Sequence, residues 1–315
     1  MKRFVWMICL LLAVLLLPCA ALGEEDVFLF GDSAERETAE ASAETAAEEA
    51  PAAAEETAVP NADAPLEVHL INVASADCIL LRKGELTMMI DSGNYSEADR
   101  IVDYLSELGI SHLDYAMFTH PHGDHVQGYK MVLDAVDVGE FLEPALFEGY
   151  DGEGSDYVAV IHEKLAARGV PVKILHHMDE MDFGGATIHF YQWQNPDARV
   201  NNRSMIEHIT FGSSAILLAA DIESHAQKAL AAELGGALRA DILKMPHHGL
   251  ASYTRELHAA VQPKFATVSH TRGNETVEGV LATLTARGVQ WRLTVKGTIV
   301  CTSDGTEWRI RQEEK

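Results

Sequence analysis

The feature that most constrains the fold is the alternation of strand-like and helix-like segments in both halves of the chain beyond residue 65. The first half has strand-like apolar runs and one amphipathic helical spacing, at 66–73, 78–84, 86–93, 96–109 and 113–119. The second half repeats this logic, with strands, helices and a closing hairpin expected at 205–212, 214–221, 224–234, 240–249, 265–270, 278–288 and 291–305. This pattern predicts an α/β fold in which two sheets pack together and helices flank them.

The first 23 residues have the three parts of a secretory signal peptide. Lys2 and Arg3 precede an apolar run, and small residues end the segment at Gly23. An uncleaved membrane anchor is the alternative, because the apolar run is close to the length that crosses a bilayer. Residues 1–23 therefore predict an extracytoplasmic protein, secreted or attached to the cell surface, with membrane contact only through this segment if it is retained.

Residues 34–65 consist almost wholly of Ala, Glu, Thr, Ser and Pro, and the whole segment 24–65 has 13 acidic residues and 1 basic residue. Few large apolar side chains are present to offset the entropy cost of ordering. We interpret this segment as an acidic, disordered linker that precedes one domain, residues 66–315. That domain keeps a net charge of about −14 once the linker and leader are subtracted from the total of −24. Stable nucleic-acid binding is not expected of so acidic a surface, although bound cations supply positive charge locally.

Residues 119–125 read THPHGDH, between the end of a strand-like run and a helix predicted over 124–136. His120, His122, Asp124 and His125 are ligand types suited to zinc or manganese. In an extended loop, His120 and His122 project to one side, and Asp124 and His125 can turn toward a second centre. The motif therefore predicts a metal site at a strand end, where α/β folds place ligands.

Other candidate ligands also follow strand-like runs. Asp221 ends AILLAAD, and His247 and His248 end DILKMPHHG. Asp91 ends LTMMID and is suited to orient a histidine ligand. Asp221 as an ordinary helix cap is the competing interpretation. Cys78 and Cys301 are the only cysteines beyond the leader, and buried free thiols are expected, with a disulfide as the alternative.

Asp91, the HxHxDH run, Asp221 and His247 occur in the order found in metallo-β-lactamase fold hydrolases. The segments HLINVASADCILL, NNRSMIEHITFGSSAILLAADIE and DILKMPHHG resemble in particular the hydrolase domain of competence DNA-uptake proteins of the ComEC type. The resemblance implies a four-layer α/β/β/α sandwich. It implies one or two divalent ions, Zn²⁺ or Mn²⁺, held by His120, His122, Asp124, His125, Asp221 and His247. If two ions bind, Asp221 is the residue expected to bridge them. Asp124 and His248 are the predicted catalytic residues, with His248 as proton donor to the leaving oxygen and Asp91 behind the ligands.

The chain departs from the family pattern at three points. No clear match exists for the third histidine of the first metal, and His208, the nearest candidate, is interpreted as a packing residue. AAD replaces the usual Thr-Gly-Asp, and HHGL lacks the usual serine. The stretch after TVSH is short, so His270 receives no role.

Hydrolysis by metal-activated water is the function these patterns favour. The expected substrate is a phosphodiester, in DNA or a cell-wall polymer, so that the protein would be a phosphodiesterase or nuclease. A small ester, lactone or lactam is the alternative substrate. An extracellular metal-binding interaction module without activity is the alternative from another class of protein.

Overall fold

The computed structural model describes residues 28–31 and 63–313. One sheet has nine strands, in the order β1 (Phe28–Gly31), β16 (Glu307–Gln312), β15 (Ile299–Ser303), β2 (Leu66–Leu70), β3 (Ile79–Lys83), β4 (Leu86–Ile90), β5 (His112–Met117), β6 (Asp137–Pro144) and β7 (Val172–Leu175). The other sheet has seven, in the order β14 (Gln290–Leu293), β13 (Phe265–Val268), β12 (Ile242–Lys244), β11 (Ser214–Leu218), β10 (Met205–Phe211), β9 (Ala186–Gln192) and β8 (Glu180–Phe183).

Seven α-helices connect these strands within the described residues. They are α1 (Ala98–Glu107), α2 (Gly123–Val126), α3 (Tyr129–Ala135), α4 (Ser155–Arg168), α5 (Ser224–Leu234), α6 (Arg255–Val261) and α7 (Glu275–Ala286). In the nine-stranded sheet β4 to β7 are parallel, and in the seven-stranded sheet β11 to β14 are parallel. Helices lie between many of these parallel strands, as such crossovers require.

Three apolar clusters separate the layers. One lies between the sheets and includes Leu81, Ile188 and Ile216. A second packs the outer face of the seven-stranded sheet against α5, α6 and α7, and a third packs the nine-stranded sheet against α1, α3 and α4. Strand residues alternate between the clusters, as the period-2 geometry of a strand requires. The predicted four-layer α/β/β/α sandwich is therefore confirmed.

Two sequence predictions about secondary structure are wrong. Residues 291–305 do not form a hairpin, because β14 pairs in parallel with β13 in one sheet and β15 pairs with β16 and β2 in the other. The helix expected over 124–136 is two short helices. They are separated near Gly128, where a Cβ atom would lie only 1.9 Å from the carbonyl oxygen of Ser92. The N–H of Gly128 donates to the carbonyl oxygen of Gly93 instead of continuing the hydrogen bonds of the helix.

The N-terminal predictions fall largely outside the described residues. The described residues do not include the predicted signal peptide, residues 1–23, or most of the predicted linker, residues 24–65. Phe28–Gly31, within the predicted disordered linker, are an edge strand instead, because β16 offers them an unpaired backbone edge. No helix in the described ranges is long and apolar enough to span a membrane.

The two remaining cysteines are free and buried, as expected from the sequence. Cys78 packs in the cluster beneath α1 and α3, whereas Cys301 packs in the cluster between the sheets. The two thiols therefore face different layers of the sandwich.

Candidate metal centre

The chemically distinctive side chains meet where the parallel strands of both sheets end. Asp91 follows β4, the HxHxDH loop follows β5, and Asp221 follows β11. His247 and His248 follow β12, and Ser269 follows β13. The carboxyl ends of parallel strands share one edge of each sheet, and that edge is where α/β proteins place ligands.

Close backbone contacts fix the HxHxDH loop. Gly154 packs on it so tightly that a Cβ atom would lie 1.9 Å from the carbonyl oxygen of Pro121. The loop then enters α2, so that His120 and His125 are fully buried while His122 and Asp124 keep 23% and 34% of their side chains exposed. Two ligand-type groups therefore form the floor of the site and two face its opening.

Asp221 is the common neighbour of the histidines. Its Oδ1 lies 3.3 Å from Nε2 of His125, and its Oδ2 lies 3.4 Å from Nε2 of His248. Nε2 of His247 lies 3.7 Å from the same Oδ2, and Nε2 of His120 lies 3.9 Å from it. The carboxylate is buried, so these four imidazoles and the ion pairs described below constitute its charged surroundings.

An unusual backbone brings the two adjacent histidines to the same site. His247 has φ 50° and ψ 50°, and His248 has φ 53° and ψ 16°, both left-handed. Gly249 continues with φ 82°. Left-handed geometry costs a non-glycine residue roughly 1–2 kcal/mol, and such strain concentrates at functional sites. It allows neighbouring side chains, which an ordinary strand would send to opposite faces, to approach one carboxylate.

Asp91 holds His125 from behind. Its Oδ2 lies 2.7 Å from Nδ1 of His125. The same carboxylate accepts hydrogen bonds from the backbone N–H and the hydroxyl of Thr119, at 2.8 and 2.9 Å. Because Nδ1 of His125 is committed to Asp91, Nε2 is the nitrogen left to face the centre.

Asp77 and Lys244 are the site residues that the sequence analysis missed. Asp77, in the loop between β2 and β3, accepts a hydrogen bond from Ser269 at 2.7 Å and forms an ion pair with Lys244. Its Oδ1 also lies 3.4 Å from Nδ1 of His248. A lysine inside the apolar run DILKMP was the available signal, because a charge in a buried strand needs a buried partner.

Four ligand-type atoms, from Asp77, His125, Asp221 and His248, lie within 4.8 Å of one another. Both oxygens of Asp77 already accept bonds, from Ser269 and Lys244. Asp77 is therefore better suited to orient His248 than to face a cation, and Nε2 of His248 is the atom that points to Asp221 and Asp124.

Charge compensation dominates the electrostatics. Burial alone would raise the pKa of Asp221, but His248 and His125 hold it well below its usual range. Burial likewise opposes charging of His125 and His248, yet Asp221 and the carboxylates behind them raise the pKa of both imidazoles. Burial and the neighbouring His125 lower the pKa of His120. Asp221 thus remains anionic and is available to a cation.

Whether a metal ion fits this site can be judged from its buried polar atoms that lack a hydrogen-bond partner. Nε2 of His122, His125 and His248 and Oδ1 of Asp221 are buried atoms without a hydrogen-bond partner in the described chain. Such atoms are rare unless a ligand, ion or water completes them. They are also the lone-pair donors that borderline divalent metals prefer. The residues present therefore fit a bound metal ion.

The structure brings together all the sequence-predicted site residues: Asp91, His120, His122, Asp124, His125, Asp221, His247 and His248. His208 lies elsewhere, on β10, where its Nε2 donates to the carbonyl oxygen of Arg239 at 2.9 Å. The interpretation of His208 as a packing residue is confirmed. His270 contacts the carbonyl of Thr271 at the surface.

The sandwich carries, at its strand ends, a cluster of residues that could hold a metal ion. Residues 71–198 match the family model of the metallo-beta-lactamase superfamily.

Two curated relatives resemble the chain more specifically. ComE operon protein 3 of Bacillus subtilis is 25% identical over 176 residues, which are 55% of this chain and 22% of that protein. Competence protein ComA of Neisseria gonorrhoeae is 22% identical over 215 residues, which are 67% of this chain and 28% of that protein. The chain thus spans only about a quarter of the length of these relatives.

Solved structures agree on the fold. A mutant of the CmlA beta-hydroxylase superposes with a TM-score of 0.50 at 14% identity, over 72% of this chain and 52% of that one. At this identity the likeness concerns the fold alone.

Proposed function

We propose that this protein is a metal-dependent phosphodiesterase. One observation carries the proposal: the buried carboxylate of Asp221 lies 3.3–3.4 Å from Nε2 of His125 and of His248, and neither nitrogen has a hydrogen-bond partner in the described chain. A structural ion-pair network would leave no such orphans, whereas a metal site requires them.

The side chains around Asp221 divide into two groups. We assign His120, His122 and His247 to one group: His120 Nε2 and His122 Nδ1 are 3.1 Å apart, and Nε2 of His120 and of His247 both approach Oδ2 of Asp221. Asp124, His125 and His248 form the other group, with His248 Nε2 3.3 Å from Oδ2 of Asp124. We propose that each group, together with Asp221, holds one divalent ion, Zn²⁺ or Mn²⁺.

This division changes two assignments made from sequence. His247 supplies the histidine that the first group otherwise lacks, and His248 becomes a ligand rather than a proton donor. The support is orientation: Nδ1 of His248 faces Ser269 at 3.0 Å and Asp77, so its Nε2 is directed to the cluster. Asp124, partly exposed beside the opening, is the better candidate to contact the nucleophilic water.

A bound divalent ion supplies Lewis acidity and makes water nucleophilic at neutral pH. The chain's own residues supply the rest. Asp91 and Asp77 hold the imidazoles in the tautomers that leave Nε2 free. Lys244, in contact with Asp77 and 3.9 Å from Asp221, compensates part of the buried negative charge.

The phosphodiester is the proposed substrate because the similarity to the two competence proteins favours it. The excess of carboxylates at the site agrees with a centre that depends on cations to attract an anionic substrate. We further propose that the protein acts outside the cytoplasm, since residues 1–23 have the composition of a secretory signal.

The test uses the purified full chain after chelation. Zn²⁺ or Mn²⁺ is added back, and hydrolysis of bis(p-nitrophenyl) phosphate is followed beside that of a lactone and a β-lactam. Metal-dependent turnover of the phosphodiester alone is expected. Preference for a ring substrate would make the protein a ring-opening hydrolase, and metal binding without any turnover would make it an interaction module.

A further inference from the structure

A cavity of about 510 Å³ opens beside the metal centre, and His122 forms part of its wall. Tyr150, Arg199, Asn201 and Arg203 also line it. Because His122 contributes to the metal group as well, whatever occupies this cavity lies next to the reacting position. The function proposed above does not use this cavity.

Arg203 is the unusual residue in the wall. It is only 9% exposed, and its Nε has no hydrogen-bond partner. Its guanidinium carbon lies 4.7 Å from the ring centre of Tyr150 and 5.2 Å from that of Phe147. Within residues 63–313 no carboxylate pairs with it, whereas Arg168 and Arg272 each have an acidic partner. A buried guanidinium without a counter-ion is costly, so a ligand is expected to supply the negative charge.

The backbone holds Arg203 firmly against the site. Its carbonyl accepts a hydrogen bond from Nε2 of Gln192 at 2.7 Å. Two residues later, the N–H of Met205 donates to the carbonyl of Thr119, immediately before the HxHxDH loop. The stacked rings and these bonds fix the guanidinium before any ligand arrives, which lowers the entropy cost of binding.

The acids of the cavity already have partners. Glu223 accepts a hydrogen bond from Asn202 at 3.0 Å and lies 3.9 Å from Nδ1 of His247. Glu153 lies 3.7 Å from Nε2 of His122. Arg199, which is exposed, has no acidic partner in the described ranges. Each acid thus has a polar neighbour of its own, and within the described residues neither forms an ion pair with Arg203.

We propose that this cavity is an anion subsite that binds a second, non-reacting phosphate of the substrate. The planar guanidinium of Arg203 matches two phosphate oxygens, and Arg199 adds charge at the rim. The inference rests on the proposed phosphodiesterase function and narrows it. The preferred substrate carries another phosphate adjacent to the scissile diester, rather than being a simple isolated diester.

Binding of inorganic phosphate to the full chain in excess chelator tests the subsite without metal or turnover. Calorimetric titration is expected to detect binding that Arg203→Met weakens at least tenfold and Arg203→Lys weakens less. Arg168→Met, an arginine on α4, is the matched control and should bind as the unchanged protein does. Equal binding by a folded Arg203→Met variant would overturn the proposal.

A second variant decides the matter if thermal melting shows that Arg203→Met does not fold. Glu153 is 77% exposed, so Glu153→Gln removes a negative charge from the cavity mouth with little risk to folding. Phosphate affinity is expected to rise a few-fold in Glu153→Gln. Unchanged affinity in this variant would contradict an anion subsite at this position.

The metal-loaded full chain then tests the preference for a second phosphate. The p-nitrophenyl ester of thymidine 5′-phosphate is compared with the same ester carrying a 3′-phosphate. The added phosphate should lower KM about tenfold, and in Arg203→Met the two KM values should converge. If phosphate binding depends on Arg203 but neither ester is hydrolysed, the phosphodiesterase proposal fails while the subsite stands. If both esters are hydrolysed with equal KM, the substrate preference fails while the phosphodiesterase proposal stands.

Discussion

Nδ1 of His248 lies 3.4 Å from Oδ1 of Asp77, although the two residues come from opposite halves of the chain and from different sheets. The contact joins the sheets at the base of the candidate metal centre. Ser269 and Lys244 bind the same carboxylate, so that one buried acid organises three side chains of the seven-stranded sheet.

Asp77→Asn should therefore weaken metal binding about 10–100-fold, because His248 loses the group that orients it. It should also lower the free energy of unfolding by about 3–5 kcal/mol, since the buried Lys244 loses its nearest counter-ion and keeps only the more distant Asp221, at 3.9 Å. Competition with a chromophoric chelator measures the first effect and denaturant unfolding the second. Asp99→Asn, an exposed aspartate on α1, is the control. Unchanged metal affinity in Asp77→Asn would show that Asp77 does not support the centre.

Glu207 offers a test in the core between the sheets. It is fully buried, and neither carboxylate oxygen has a hydrogen-bond partner in the described chain. Glu207→Leu should stabilise the fold by about 1–3 kcal/mol at neutral pH, because a buried group without partners is removed. Glu163→Leu, on the exposed face of α4, should change stability by less than about 0.5 kcal/mol. A destabilised Glu207→Leu variant would indicate an unrecognised role for this acid.

The same residue makes a prediction about pH. Burial, reinforced by Asp91, raises the pKa of Glu207 well above its ordinary value of 4.5. The folded protein therefore keeps a proton that the unfolded chain loses, and stability falls as pH rises above about 4.5. The gain from Glu207→Leu should consequently be small in acid and grow toward neutral pH in a series of melting curves. A gain that does not vary with pH would contradict the assigned shift.

His162 should show the opposite sign of linkage. Its Nε2 lies 2.6 Å from Oε2 of Glu143, and this hydrogen bond raises the pKa of His162 above its ordinary value of 6.5. The stabilisation is present below 6.5 and is lost as pH rises through the raised pKa. Since the ring is 44% exposed, the effect should stay below about 1 kcal/mol. The stability difference between the natural protein and His162→Gln should narrow from about pH 6 to about pH 9; a difference that widens would be inconsistent with this ion pair.

The sandwich could be predicted from the sequence because strands and helices are recognised from short stretches of neighbouring residues. Apolar periodicity marked β4, β5, β11 and α5, and ligand-type residues stood at the strand ends that meet in space. The hairpin expected at 291–305 failed because two adjacent strand-like runs carry no information about which sheet each one joins. Only the pairing of β14 with β13 and of β15 with β2 decides that.

The candidate site was predictable as a set of residues but not as an arrangement. Adjacent histidines at 247 and 248 suggested a single ligand, since neighbours in a strand face opposite ways. The left-handed backbone at His247 and His248 brings both rings to Asp221, and the identity of two histidines does not predict that conformation. Asp77 and Lys244 were missed for a related reason: the buried lysine is explained by its ion pair with Asp77, and the two residues lie far apart in the chain.

The central claim is that the HxHxDH loop holds a catalytic metal ion. The most direct test measures bound metal and hydrolysis of bis(p-nitrophenyl) phosphate by the reconstituted full chain, by His122→Ala and by His176→Ala, a surface histidine that is 67% exposed. We predict that the natural protein and His176→Ala behave alike, and that His122→Ala binds less metal and turns over at least about 100-fold more slowly. Equal metal content and turnover in His122→Ala, or turnover that persists in excess chelator, would contradict this claim.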